Sequence, residues 1–112
     1  MVTVKYWYDI GELELNITVK GHAGQAEKGK DIVCASASIL LYTIAQFVMN
    51  MVEQGVVESE HIILGEGDAI VSCKCEDYDT FDEVRDAYDL IELGYAVLAK
   101  NFPQYVRLEA LT

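Results

Sequence analysis

Between Ala35 and Val52 the chain runs ASASILLYTIAQFVMNMV, eighteen residues without a charge. A stretch of that length and polarity either crosses a bilayer or packs against another layer of the same protein. Its polar residues choose between the two. Ser36, Thr43 and Asn50 recur every seven residues with Gln46 beside them, so they form one stripe on a helix. Leu40, Ile44, Phe47 and Met51 form the opposite stripe. The reading is a mostly buried core helix with one wetter edge, and no membrane span.

Such a helix needs a partner layer, and the flanking sequence supplies strands. Val2, Val4, Tyr6 and Tyr8 alternate with Thr3, Lys5, Trp7 and Asp9, and Ile10-Gly11 marks a turn. Leu13, Leu15, Ile17 and Val19 then alternate with polar residues up to Lys20, which predicts an antiparallel hairpin. Gly21 to Lys30, GHAGQAEKGK, has three glycines and no core pattern, so a mobile loop is expected there. Asp31 is the expected N-cap of the apolar helix, which runs to about Gln54 and stops at Gly55. HIILGEGDAIVSCKC reads as a second hairpin turning at Gly65-Glu66-Gly67-Asp68. Thr80 and Glu83 form the expected capping box of a second helix, with Val84, Tyr88, Ile91, Tyr95, Leu98 and Phe102 on its inner face. Pro103 closes that helix, and Tyr105 to Ala110 reads as a last strand. The predicted fold is α+β, in the order β-β-α-β-β-α-β: a two-layer sandwich of a mainly antiparallel sheet covered by two helices, one domain over residues 1–112.

Eight Lys+Arg against nineteen Asp+Glu give a net charge of −11. A polyanion of that size is repelled by phosphate backbones and anionic lipid, which argues against direct nucleic-acid or membrane binding. Thirteen of the acids and two of the bases fall between Glu53 and Glu92, so the rest of the chain is neutral overall. That half reads as a solvated surface, with a landing area for a basic partner as the sharper alternative. Three cysteines cannot all pair, and the N-terminus lacks a basic-then-apolar leader, so a reduced, cytoplasmic protein is expected. Cys73 and Cys75 share one face of a strand with Val71 and read as core. Their spacing, with His61 nearby, is a weak metal signal, and no metal or cofactor is expected.

Chemistry concentrates in Gly21-His22-Ala23 and Asp31-Ile32-Val33-Cys34-Ala35. If Asp31 caps the helix, Cys34 lies in its first turn, where free amides and the helix dipole favour an anion, the form in which a thiol attacks. Asp31 opposes that charge, so its expected role is to fix the helix start. His22 follows the second strand, and the intervening loop is long enough to bring imidazole to sulfur. A Cys–His pair supplies a nucleophile, a base for its proton and an acid for the leaving amine, and helix-start amides can hold an oxyanion. Ser38, one turn beyond Cys34, either orients His22 or bonds back to the Cys34 carbonyl, the latter being commoner for a helical serine.

GHA, then a glycine-containing loop, then DIVCASAS resembles the ribosomal-processing cysteine proteases, the small bacterial enzymes of the Prp (YsxB-like) group. Their segment reads approximately G-H-A, loop, G-x-D-I-V-C-A-x-x-S, and Gly29 to Ser38 fits it position by position. The resemblance implies a Cys–His protease that removes the N-terminal extension of a large-subunit ribosomal protein (L-twenty-seven) precursor, a homodimer, and a mobile loop over the site. It carries His22 and Cys34 over as catalytic, with Asp31, Ser38 and Gly21 in support. On this reading the loop closes when substrate binds, and residues 23–30 are expected to be poorly ordered or displaced without it. The alternatives are a phage-borne relative with another substrate and a non-catalytic dimeric module that holds a basic protein on its acidic face.

Overall fold

The computed structural model describes residues 1–21, 30–65 and 67–110. Its elements are β1 (Val2–Asp9), β2 (Glu14–Lys20), α1 (Lys30–Glu53), β3 (Val57–Gly65), β4 (Asp68–Cys75), α2 (Tyr78–Asn101) and β5 (Val106–Ala110), in the expected order. The five strands form one sheet, β3-β4-β2-β1-β5. Neighbours are antiparallel except β1 and β5, which run parallel and bring the two ends of the chain together. Tyr6 pairs with Ile17, and Ile17 with Val71, so apolar side chains line up across three strands on one face. Both helices cover that face, giving the expected α+β two-layer sandwich.

Several boundaries move for identifiable reasons. The first turn spans residues 10–13 and ends on Leu13 at φ 54°, so β2 begins at Glu14. β3 starts at Val57 instead of His61. A bulge between Ser59 and His61 breaks the alternation that marks a strand in sequence, while Val57 itself is buried. α2 is capped by Asp77, whose carboxylate accepts from the Thr80 N–H at 2.8 Å; Thr80 is inside the helix and is not its cap. That bond holds the Asp77 carboxyl below its ordinary pKa. Gly55, at φ 78°, ends α1 as expected.

The α1 expectation also needs correction. Residues 32–53 are long and apolar enough to cross a membrane, and in this fold the helix packs on β3, β4 and α2. It buries Val33, Ala37, Leu41, Ile44, Ala45, Val48 and Met51, yet leaves Ile32, Ile39, Tyr42 and Met49 exposed. Leu40 and Phe47, expected inside, are half-buried. A helix lying on a sheet can bury only the side turned toward it, whatever its composition.

α2 is held by side chains that are apolar along the ring and polar at the tip. Tyr88, fully buried, donates to the Val71 carbonyl at 3.1 Å, and Tyr95 donates to the Ala37 carbonyl of α1 at 2.8 Å. Tyr6 of β1 donates to Asp89 at 2.8 Å. Burial raises the pKa of all three phenols, so they remain donors. Cys73 and Cys75 are buried thiols outside any disulfide, as expected of core residues, and a hydrogen bond from Cys73 lowers the pKa of Cys75. On the helix-free face Asn16, Thr18 and Ser72 are buried too. Ser72 donates to Asn16 at 2.7 Å, next to Trp7, which pairs with Asn16 across the strands, and no buried side-chain group is left unsatisfied among the described residues.

Candidate active site

The first turns of α1 border a cleft of about 390 Å³, whose wall includes Gly21, Cys34, Ser38, Tyr42, Leu64 and Gly67. Three pieces of backbone meet there: the end of β2, the start of α1 and the β3–β4 hairpin. Gly21 is the joint. Its N–H donates to the Gly67 carbonyl at 2.9 Å, tying the strand that leads to His22 to the hairpin. Its φ is +92°, and a Cβ built there would lie 2.2 Å from the Met1 carbonyl oxygen. Both the conformation and the space require glycine. Gly65 is constrained as well, since a Cβ there would lie 2.9 Å from the Asp68 carbonyl oxygen.

Cys34 is exposed and its thiol is free. Ser38 lies one turn further along the same face of α1 and is half-buried. Further along α1, Thr43 donates back to the Ile39 carbonyl at 2.6 Å. The helix begins at Lys30, so Asp31 is its second residue instead of its cap. In a ladder that starts there, the Cys34 N–H is spent on the Lys30 carbonyl. A helix that starts at Lys30 leaves its unpaired amides in the turn before Cys34. His22 and the expected displacement of residues 23–30 lie outside the described residues, as does the Asp31 side chain.

The sequence reading brought Gly21, Cys34 and Ser38 to one place, and the fold does the same. It missed Tyr42, Leu64 and Gly67. Tyr42 was legible, one turn beyond Ser38 and two beyond Cys34 on the same helix face. Leu64 and Gly67 were not, because only the hairpin's pairing with the end of β2 carries them to the cleft. Among the described residues no group of His, Cys, Asp and Glu is arranged to hold a metal ion.

The sequence matches the family model described as cysteine protease Prp over residues 1–107. The chain belongs to the Prp family of cysteine proteases. A search of curated proteins found no match. Among solved structures, SMU.848 from Streptococcus mutans superposes with a TM-score of 0.71 at 23% identity, covering 100% of this chain and 95% of that one. The essential ribosomal processing protease Prp from S. aureus, in complex with a substrate peptide, gives 0.71 at 19% identity, covering 98% of this chain and 99% of that one. The same enzyme with a covalently linked product peptide also gives 0.71, at 20% identity with the same coverage. These likenesses carry the Prp fold over the whole chain, while the family match carries the protease class.

Proposed function

We propose that this protein is an endopeptidase in which Cys34 is the nucleophile and His22 the base and later acid. Its substrate on this reading is the precursor of a bacterial large-subunit ribosomal protein (L-twenty-seven), whose N-terminal extension it removes in the cytoplasm. The observation that carries it is one cleft lined by exposed Cys34, Ser38 and Gly21, the residue that precedes His22 in the chain. The imidazole takes the thiol proton, and the thiolate adds to the scissile carbonyl. The imidazolium then protonates the leaving amine as the tetrahedral adduct collapses to a thioester, and water releases the acyl group. The positive end of α1, which opens four residues before Cys34, favours the negative charge that develops on sulfur and oxygen. Ser38, which shares the cleft with Cys34, orients the imidazole on this reading.

The substrate class is supported by the S. aureus relative, a ribosomal processing protease bound to substrate and product peptides. The test is cleavage of the precursor by wild type, Cys34→Ser and His22→Ala. Loss of cleavage in both variants is expected, and equal cleavage by all three overturns the assignment. The proposal includes a homodimer, which suits a helix that leaves Met49 and Val52 exposed at its far end. A 12.5 kDa particle in sedimentation at micromolar concentration overturns that part.

A further inference from the structure

The helical layer carries a second groove, on the flank of α1 away from the Cys34 cleft. Ser36, Ile39 and Leu40 of α1 and Gly94, Val97 and Phe102 at the end of α2 border about 420 Å³. Gly94 makes the groove by letting the helices approach: a Cβ there would lie 2.7 Å from Leu40 Cδ2. Around it Ile39 is 61%, Leu93 58% and Val97 54% exposed. Exposed Ala35 and Ile39 form the crest between this groove and the cleft.

The groove continues into a ridge with two distinct halves. Asp79, Glu83, Asp86, Leu90, Leu93 and Val97 are all exposed, at alternating steps of four and three, so they form one stripe along α2. The stripe is about 27 Å long at the helical rise per residue. Its half nearest the groove is apolar and its distal half is three carboxylates. No described cation pairs with those three, because Arg85 is engaged by Asp82.

We propose that this groove and ridge form an exosite for the basic, mature part of the protein substrate, outside the cleft that holds the scissile bond. The inference rests on the ribosomal-precursor reading above. An apolar segment of the substrate seats between Ile39, Leu93 and Val97, and its Lys and Arg side chains meet Glu83, Asp86 and Asp79. A basic partner satisfies both halves of the stripe. A second copy, with its own net charge of −11, satisfies only the apolar half and adds like charge to the other.

The experiment compares two substrates of the full-length enzyme: the intact precursor and a short peptide spanning only the cleavage site. Glu83→Lys/Asp86→Lys is set beside a control of equal charge change, Glu53→Lys/Glu58→Lys, and beside Leu93→Ser. The ridge variants should raise KM for the precursor about tenfold at low salt and leave kcat and peptide cleavage unchanged. High salt should bring the wild type toward the charge variant. An equal loss on both substrates, no loss on the precursor, or the same loss in the control overturns the exosite. So does Leu93→Ser converting a dimer to a monomer with both activities lost, which assigns the face to a second copy. Failure of the wild type to cleave the precursor overturns the substrate reading and the exosite together, whereas cleavage that depends on Cys34 but ignores the ridge overturns the exosite alone.

Discussion

The two helices have the same length and lie on the same sheet, but they are held in different ways. α2 is polar overall and anchored at fixed points: a carboxylate cap at Asp77, and buried phenols of Tyr88 and Tyr95 that reach into β4 and α1. α1 is almost uncharged and anchored by shape, through aliphatic residues that meet the sheet and α2. Its surplus apolar residues remain outside, and its first turns border the cleft. The difference teaches that apolar composition measures how much a helix can bury, not how much it does. Directed hydrogen bonds fix α2 in one place, while α1 keeps an exposed surface beside the exposed Cys34 thiol.

Four measurements separate these two modes of anchoring. The largest effect is expected at the α2 anchor: Tyr88→Ala should cost about 4 kcal/mol in denaturant unfolding, as for other buried aromatics. Tyr88→Phe, which keeps the ring and removes the hydroxyl's bonds to the Val71 carbonyl and the Cys73 sulfur, should cost about 1 kcal/mol. If the two variants are equal, the hydrogen bonds carry the anchor and packing does not. Next is the joint beside α1. Gly21→Ala must adopt a positive φ and displace the Met1 carbonyl, so a loss of about 3 kcal/mol is expected, with peptidase activity falling further than stability. A wild-type melting curve with normal activity would remove Gly21 from the site.

A smaller effect is expected at the α2 cap. Because Asp77 is held below its ordinary pKa in the folded state, the stability it adds is complete above the unfolded value of about 3.9 and is lost as pH falls through the lowered one. Asp77→Ala should lower the melting temperature by a few degrees at neutral pH and leave no difference from wild type at strongly acid pH. A difference that persists in acid assigns the effect to something other than the carboxylate. The smallest is on the exposed side of α1, where Met49→Gln should change unfolding free energy by less than about 0.5 kcal/mol. A large loss there means that the surface is covered, and a shift in sedimentation identifies the cover as a second copy.

Most of the architecture was legible from periodicity. The alternation of β1 and β2, the inner face of α2 from Val84 to Leu98, and the stop at Gly55 all depend on local spacing, and local spacing is what a sequence displays. Cys34 and Ser38 fall on one helix face for the same reason, and the GHA and DIVCASAS segments carried the family. What stayed hidden depends on residues far apart in the chain. The start of β3 was masked by a bulge that exists only through pairing with β4. Burial of Asn16, Thr18 and Ser72 on the open face came from neighbouring strands, and the exposure of Ile39 and Met49 from the helix having a single partner layer.

Local spacing alone was enough for the order of elements, the inner face of α2 and the place of Cys34 and Ser38 on one face of α1. Only the tertiary structure decided that Leu64 and Gly67 border the thiol's cleft, that Gly94 opens a second groove, and that the apolar half of the α2 stripe adjoins it. The physical reason is range. Backbone geometry repeats every two or 3.6 residues and fixes which side chains share a face. Which faces then meet depends on register between strands and on close approaches between helices, here a 2.9 Å bond from Gly21 to Gly67 and the contact at Gly94.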